Sequence, residues 1–495
     1  MLPKNLKYQS RVESAPAKSL RTNIAPQNGT GTYGFGDTII INIPTRANLC
    51  LNTADSYLKF DVAFGSGTVA GQAIRWDSCG AHSVIQRLRI FSGSNLLQDI
   101  DNYALLAKIL FDLQVPSDAT YGKFSILAGT RPDLITQLPT LTALATAAGG
   151  RDPAGTTAAN IGTAITTLAT DVNTSIQAVL TGANRQSLQI NSGESLTVAA
   201  ADNGDTTSAT YCLNLISLLG TLSNQYFPLF AATSAPIRLE LQLAPNALSC
   251  INSVSALVAG TGGIMKITNC EFVANMIELS DQAMSMIQSS LNGQPLQYVV
   301  PDYRNYQFTQ TGLTNTSTVL QVPIPAKFSS LKSIFLTQRD KLATLNYFPF
   351  SSVKAGISSY YFRVGANVYP QKAPDRLPEM FSEVLKAIGC MSNLDHHPSI
   401  EKFTYTLDSS TQCNTSALMV NSSSGSFYIG IDLENYANSS NYKESVFSGY
   451  NSNTEDIYAV ITLTPPAAVT SLRIDAFAMF DEVLVFDNNT AFVRF

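Results

Sequence analysis

The sequence predicts an all-β protein: two tandem eight-stranded jelly rolls (β-sandwiches) with short inserted helices and a long insertion in the first. Three observations predict it. Segments recur in the same order in both halves, apolar residues alternate between turn signals, and the composition is poor in charge. Of 495 residues, 45% are apolar and only 14% charged, against about 25% charged in an ordinary soluble domain. A chain this apolar is not disordered as a whole. Its polarity comes from Ser, Thr, Asn and Gln, which suits sandwiches, long uncharged loops and surfaces that end up against other subunits. The net charge of −5 is small for the length and offers little protection against self-association.

Residues 1–36 read as an N-terminal arm. Lys4, Lys7, Arg11, Lys18 and Arg21 face only Glu13 among the first 21 positions, and Gly and Asn cluster from Asn28 to Gly36. These five basic residues are candidates for weak contact with nucleic acid, a membrane or a neighbouring subunit. With Tyr8 the one aromatic among the first 21 positions, a solvated arm or a clasp on a neighbour is the favoured role. The arm carries no apolar stretch of the kind a secretory signal needs.

Residues 37–290 read as the first jelly roll and 291–495 as the second, on four pairs of landmarks. IIINIPTR (Ile39–Arg46) matches LQVPIPAK (Leu320–Lys327), each alternating and ending Ile-Pro-x-basic, followed by YLKFDV (Tyr57–Val62) and LKSIFL (Leu331–Leu336). Arg87–Leu110 matches Tyr360–Ile388, each a strand, a turn (Gly93-Ser94-Asn95 or Gly365-Ala366-Asn367), a short strand and a helix. Gly and Asn stand in both turns because they tolerate the positive φ of a tight hairpin. IRLELQLAP (Ile237–Pro245) matches IYAVITLTP (Ile457–Pro465), alternating strands that stop at a proline. CEFVANMIEL (Cys270–Leu279) matches IDAFAMFDEVLVF (Ile474–Phe486) near the end of each half.

The landmark spacing drops from 281 residues (Pro44 to Pro325) and 272 (Gly93 to Gly365) to 220 (Pro245 to Pro465). The first copy therefore carries extra residues between its second and third landmarks. A stretch without aromatics, about 125–210, lies there, whereas aromatics dominate burial in β cores. Ile161, Ile165, Leu168, Val172, Ile176 and Val179 recur at helical spacing within it, which predicts a helix lying on the surface of a projecting insertion.

Candidate chemistry is sparse, and no catalytic residue, cofactor or metal site is expected. Gly29-Thr30-Gly31-Thr32-Tyr33-Gly34 matches the dinucleotide pattern, but no strand precedes it to aim a phosphate at a helix N-terminus. Asp395-His396-His397 lacks a second cluster to complete a metal site. His82 has no recognisable nucleophile. Asp99 and Asp101, just ahead of a predicted helix, read as N-terminal caps. The seven cysteines are odd in number and show no C-x-x-C pair, which predicts reduced, partly buried thiols.

On this footing the chain resembles a known family. DSYLKFDV (Asp55–Val62), SVIQRLRIFSGSNLLQDIDNYALL (Ser83–Leu106), YFPLFAATSAPIRLELQLA (Tyr226–Ala244), YFRVGANVYPQKAP (Tyr361–Pro374) and FYIGIDLENY (Phe427–Tyr436) resemble the double jelly-roll major capsid proteins of tailless double-stranded DNA viruses. Adenovirus hexon, virophages and polinton-like viruses belong to that group. The resemblance spans nearly the whole chain and implies a virion structural protein without enzymatic activity. It implies a homotrimer forming pseudo-hexagonal capsomers that tile an icosahedral shell, assembled inside the host cell. Neighbouring capsomers, penton and minor capsid proteins are the implied partners, with internal membrane or genome contact through the arm. The insertion exceeds that of the shortest members and would form an outward tower. The alternative reading is a tandem β-sandwich carbohydrate-binding or attachment protein of spike or fibre type, favoured by Asn-rich loops near Asn438–Asn453. A glycoside hydrolase, needing two carboxylates about 5–10 Å apart, ranks third.

Overall fold

The computed structural model describes residues 17–29, 31–64, 73–130, 196–197, 209–223, 226–246, 249–253, 265–340, 348–389, 397–410, 424–434 and 449–494. Lys4, Lys7, Arg11, the helical stripe at 161–179, Asp395 and His396 lie outside these residues.

Sixteen strands build two sandwiches of one design. The first contains β1 (Ala17–Ile24), β2 (Thr38–Ile43), β3 (Leu49–Phe64), β4 (Ile85–Ser92), β5 (Asn95–Asp101), β6 (Ala209–Leu213), β7 (Ile237–Leu243) and β8 (Met265–Leu279). They form two facing sheets, in the orders β1-β8-β3-β6 and β2-β7-β4-β5. The second contains β9 (Leu296–Thr311), β10 (Thr318–Ile324), β11 (Leu331–Asp340), β12 (Ile357–Val364), β13 (Asn367–Tyr369), β14 (Tyr428–Asp432), β15 (Ile457–Leu463) and β16 (Ser471–Asp487). Its sheets run β9-β16-β11-β14 and β10-β15-β12-β13, so each strand of the first sandwich has its counterpart eight strands later. The paired landmarks fall on matching strands: β2 with β10, β3 with β11, β4–β5 with β12–β13, β7 with β15, and β8 with β16. A last strand, β17 (Thr490–Arg494), adds to β16.

Alternation sets the sandwich faces. In β7 every second residue is buried, from Ile237 to Leu243, and these meet Ile39, Ile41, Leu88 and Ile90 within one buried cluster. The second core packs Leu320, Val322, Ile324, Tyr360 and Phe362 with Ile334, Leu336, Ile474, Ala476 and Phe480. Strand β16 breaks the pattern: it is buried along nearly its whole length, because its far face is covered as well.

What covers it is the other sandwich. Helix α1 (Tyr103–Gln114) buries all residues from Tyr103 to Leu113; it is a wedge rather than an end cap. Helix α2 (Asp281–Leu291) links the sandwiches and starts at Ser280, whose hydroxyl accepts from Ala283 N–H. Helix α3 (Leu377–Ile388), counterpart of α1, is amphipathic and buries Met380, Val384 and Ala387 against β14. From the insertion, Leu196–Thr197 pairs with Ala73–Arg75, which pairs with Asn252–Ser253.

Candidate interlobe joint and assembly edges

The joint between the sandwiches gathers most of the buried charge. Inside α1, Lys108 and Asp112 stand one turn apart in an otherwise apolar helix. Lys108 Nζ lies 3.0 Å from Asp77 Oδ1 and 3.0 Å from Asp112 Oδ2, with all three side chains almost inaccessible. Burial alone would pull the Lys108 ammonium down, but the Asp112 and Asp77 carboxylates hold it well above the usual lysine range. Burial works against the Asp77 carboxylate too, and the charge of Lys108 with the Ser78 N–H brings it below the ordinary value. The second sandwich closes the cluster: Tyr428 Oη donates to Asp112 Oδ2 at 2.6 Å, Ser426 Oγ donates to it at 2.7 Å, and Ser399 N–H donates to the Asp112 carbonyl at 2.9 Å.

A second cross-joint network centres on Asn102, which precedes α1 in the left-handed region at φ 50°. Asn and Gly tolerate that conformation best, and the amide is also needed. Its Nδ2 donates to Asp475 Oδ1 (3.1 Å) and Asn305 Oδ1 (3.2 Å), while its Oδ1 accepts from Gln86 Nε2 (2.9 Å). Asp475 in turn receives Arg339 at 2.5 Å. A third bond across the joint runs from Gln98 Nε2 to Asp302 Oδ1 at 2.6 Å.

A cavity of about 580 Å³ lies beside this joint, lined from both halves by Phe111, Phe124, Leu213, Tyr298, Pro301 and Met479 among others. His82 reaches it. Burial pulls the imidazole down to about 3, so the ring stays neutral. Its Nδ1 lies 3.0 Å from Tyr103 Oη, which also accepts from Ile216 N–H; the ring therefore packs and orients.

Lys18 and Arg21, read from the sequence as part of an arm, stand on β1, which pairs with β8 along its length. Both are exposed, and Arg21 donates to Tyr57 Oη at 3.1 Å. Asp99 and Asp101 do not cap α1, contrary to the sequence expectation. They belong to β5, where Arg87 grips Asp99 with two bonds of 2.7 and 2.6 Å; Asn102 alone stands between that strand and the helix, and it takes the N-cap position. Among the described residues, Cys50, Cys79, Cys250 and Cys270 are buried, Cys212 is half-buried, and none is in a disulfide. Sequence reasoning missed Lys108, Asp112, Asn102, Asp302 and Glu482, although Lys108 and Asp112 interrupt an apolar helix where charge has no packing reason to stand.

The outer surface carries a different signal. Large aliphatic side chains are exposed on four strands that end their sheets: Leu20 on β1, Leu96 on β5, Val319 on β10 and Val368 on β13. Pro323 interrupts hydrogen-bond donation within β10, the place a proline tolerates in a sheet. Edges with exposed apolar residues are templates for association unless something covers them.

Two sandwiches of identical topology joined through a buried interface define a double jelly roll, the fold of viral major capsid proteins. Among solved structures, the mavirus major capsid protein superposes with a TM-score of 0.52 at 12% identity, covering 100% of this chain and 93% of that one. The faustovirus major capsid protein gives 0.53 at 9% identity, over 98% and 93%. VP54 of PBCV-1, fitted into a reconstruction of the virophage Sputnik, gives 0.52 at 9% identity over 99% of both chains. No protein-family model and no curated protein matches the sequence.

Proposed function

We propose that the chain is a major capsid subunit, a structural protein of the virion with no catalytic role. Three copies form a pseudo-hexagonal capsomer, and capsomers tile an icosahedral shell assembled in the host cell. The observation that carries this reading is a double jelly roll matched over 99–100% of the chain by capsid proteins. Two sandwiches per subunit turn three-fold symmetry into a six-sided outline, and closed trimers then associate laterally. The exposed aliphatic residues on sheet edges, joined with the low charge, supply surfaces for that contact. The N-terminal segment with Lys4, Lys7, Arg11, Lys18 and Arg21 faces a neighbouring subunit, or an internal membrane or genome. Penton and minor capsid proteins complete the partners, and the division between the two sandwiches at residue 290 belongs to the same proposal, with residues 17–24 counted in the first sandwich.

Light scattering on the purified chain tests it. A trimer is expected, with six-sided particles in negative-stain images. Charge placed on an edge by Val319→Glu or Leu96→Glu should weaken lateral association while the folded subunit keeps its thermal midpoint. A monodisperse monomer at high protein concentration would sink the reading.

A further inference from the structure

The joint contains a second pair of buried charges that assembly does not explain. Asp302 on β9 and Glu482 on β16 are each 1% exposed. In the ladder Val300 stands opposite Glu482 and Asp302 opposite Phe480, so the two carboxyls are diagonal neighbours on one face, within reach of each other. Asp302 has one oxygen occupied by Gln98 Nε2 from the first sandwich, whose Oε1 accepts from Leu218 N–H at 2.9 Å. Neither oxygen of Glu482 has a hydrogen-bond partner among the described residues. A buried polar atom left without a partner costs about 1–3 kcal/mol, and more for a charged one. Two adjacent carboxylates away from water cannot both stay ionised.

We propose that Asp302 and Glu482 share a proton and act as a titratable latch between the two sandwiches, tight when protonated and loosened when both carboxyls ionise. A proton on Glu482 gives its carboxyl a donor, and Asp302 beside it is an acceptor. Gln98 then ties the pair to β5 and so to the first sandwich. Loss of the proton leaves two like charges across one ladder, with the Gln98 amide and the Tyr303 N–H on Asp302 and no donor on Glu482 among the described residues.

The charged groups facing the pair are few. Arg304 lies two residues along β9 and favours ionisation, but its guanidinium sits 5.6 and 5.7 Å from the Phe328 and Phe480 rings. Asp99 on β5 favours the protonated form of Asp302. Arg494 on β17 pairs beside Val483 and is exposed, and Asp481 is engaged by Lys332 at 3.2 Å. Burial is the largest influence on both carboxyls, and their mutual repulsion pushes Glu482 further up. Since both are raised above their unfolded values, the folded state binds more protons from the ordinary carboxylate range upward. Stability from the pair is therefore whole in acid and is lost as pH rises through the folded values.

The thermal midpoint of the full chain, measured from about pH 6 to about pH 9, tests this together with Glu482→Gln and Asp302→Asn, which mimic the protonated groups. The wild-type midpoint should fall with pH, with roughly tenfold loss in the folding constant per pH unit for each group that titrates. Glu482→Gln should flatten that fall, so that its advantage over wild type grows toward alkaline pH. A constant offset between parallel curves would overturn the latch. If Glu482→Gln does not fold, Asp302→Asn is read in the same way. Infrared spectra at neutral pH add an independent readout: a protonated-carboxyl band in the wild type, absent from Glu482→Gln. No such band, or an alkaline midpoint that calcium raises in the wild type alone, would overturn proton sharing, the latter in favour of a cation site.

Discussion

Lys108 decides more than its place in a helix suggests. It sits between two carboxylates, and Asp112 is shared with Tyr428 and Ser426 of the other sandwich. Replacing a whole buried ion pair by apolar residues is often neutral, but removing one partner strands the other. Lys108→Met keeps length and apolar volume yet leaves Asp77 and Asp112 without their cation. It should therefore cost about 3–5 kcal/mol, nearly as much as Lys108→Ala, in denaturant unfolding at neutral pH. A clearly milder effect of methionine would mean that packing, and not charge, is what Lys108 supplies. The sequence did contain the signal: YALLAKILFDLQ spaces its two charges four apart in an apolar helix. Their partners were not legible, since Asp77 precedes by 31 positions and Tyr428 follows by 320; only the fold brings them together.

Elements were legible wherever a local rule acts alone. Both hairpins predicted at Gly93 and Gly365 exist, with two-residue loops: Ser92 pairs with Asn95 and Val364 with Asn367. Each places glycine first in the loop at positive φ, 59° and 58°, as the right-handed twist of the flanking strands requires. Strand β1 was not legible. Its residues are mostly exposed, so a basic, polar stretch reads as an arm, and its pairing with β8, some 250 residues away, has no local trace. The burial of α1 on all sides was not legible either, because period alone does not reveal a second packing partner. The hairpin glycine supports a test at this scale. A Cβ at residue 365 would stand 1.6 Å from Glu455 Oε2 and would hold alanine at positive φ. Gly365→Ala should then cost more than the about 0.4–1 kcal/mol that an unstrained Gly→Ala change gains, seen as a lower denaturation midpoint. Adding Glu455→Ala removes the side-chain clash but not the backbone strain, so it should recover only part of the loss. Full recovery would show that the turn itself imposes no strain.

At the scale of the whole molecule, the core of the first sandwich runs on into the second, which also has a core of its own. Phe335, Phe477 and Phe486 of the second sandwich lie in the same buried cluster as Leu58, Phe60 and Leu239 of the first. Phe227 and Phe486 meet edge to face at 5.5 Å, an arrangement that adds to simple burial. Each large apolar side chain withdrawn from water contributes about 1.5–3 kcal/mol, so separating the halves would expose several such contributions at once, beside the buried charges of α1. The duplication predicts two foldable units, but the wedge helix and β16, buried on both faces, couple them. Calorimetry on the full chain should therefore show one cooperative transition instead of two. The second half expressed by itself, residues 291–495, should bind a dye for exposed apolar surface and associate, because Phe477, Tyr428 and Phe335 lose their cover. A double-mutant cycle between Gln98→Ala and Asp302→Ala should return a coupling of about 0.5–3 kcal/mol for residues in contact. Two separated transitions with no coupling across Gln98 and Asp302 would make the joint a mere tether, and the shared core would then add nothing to either sandwich.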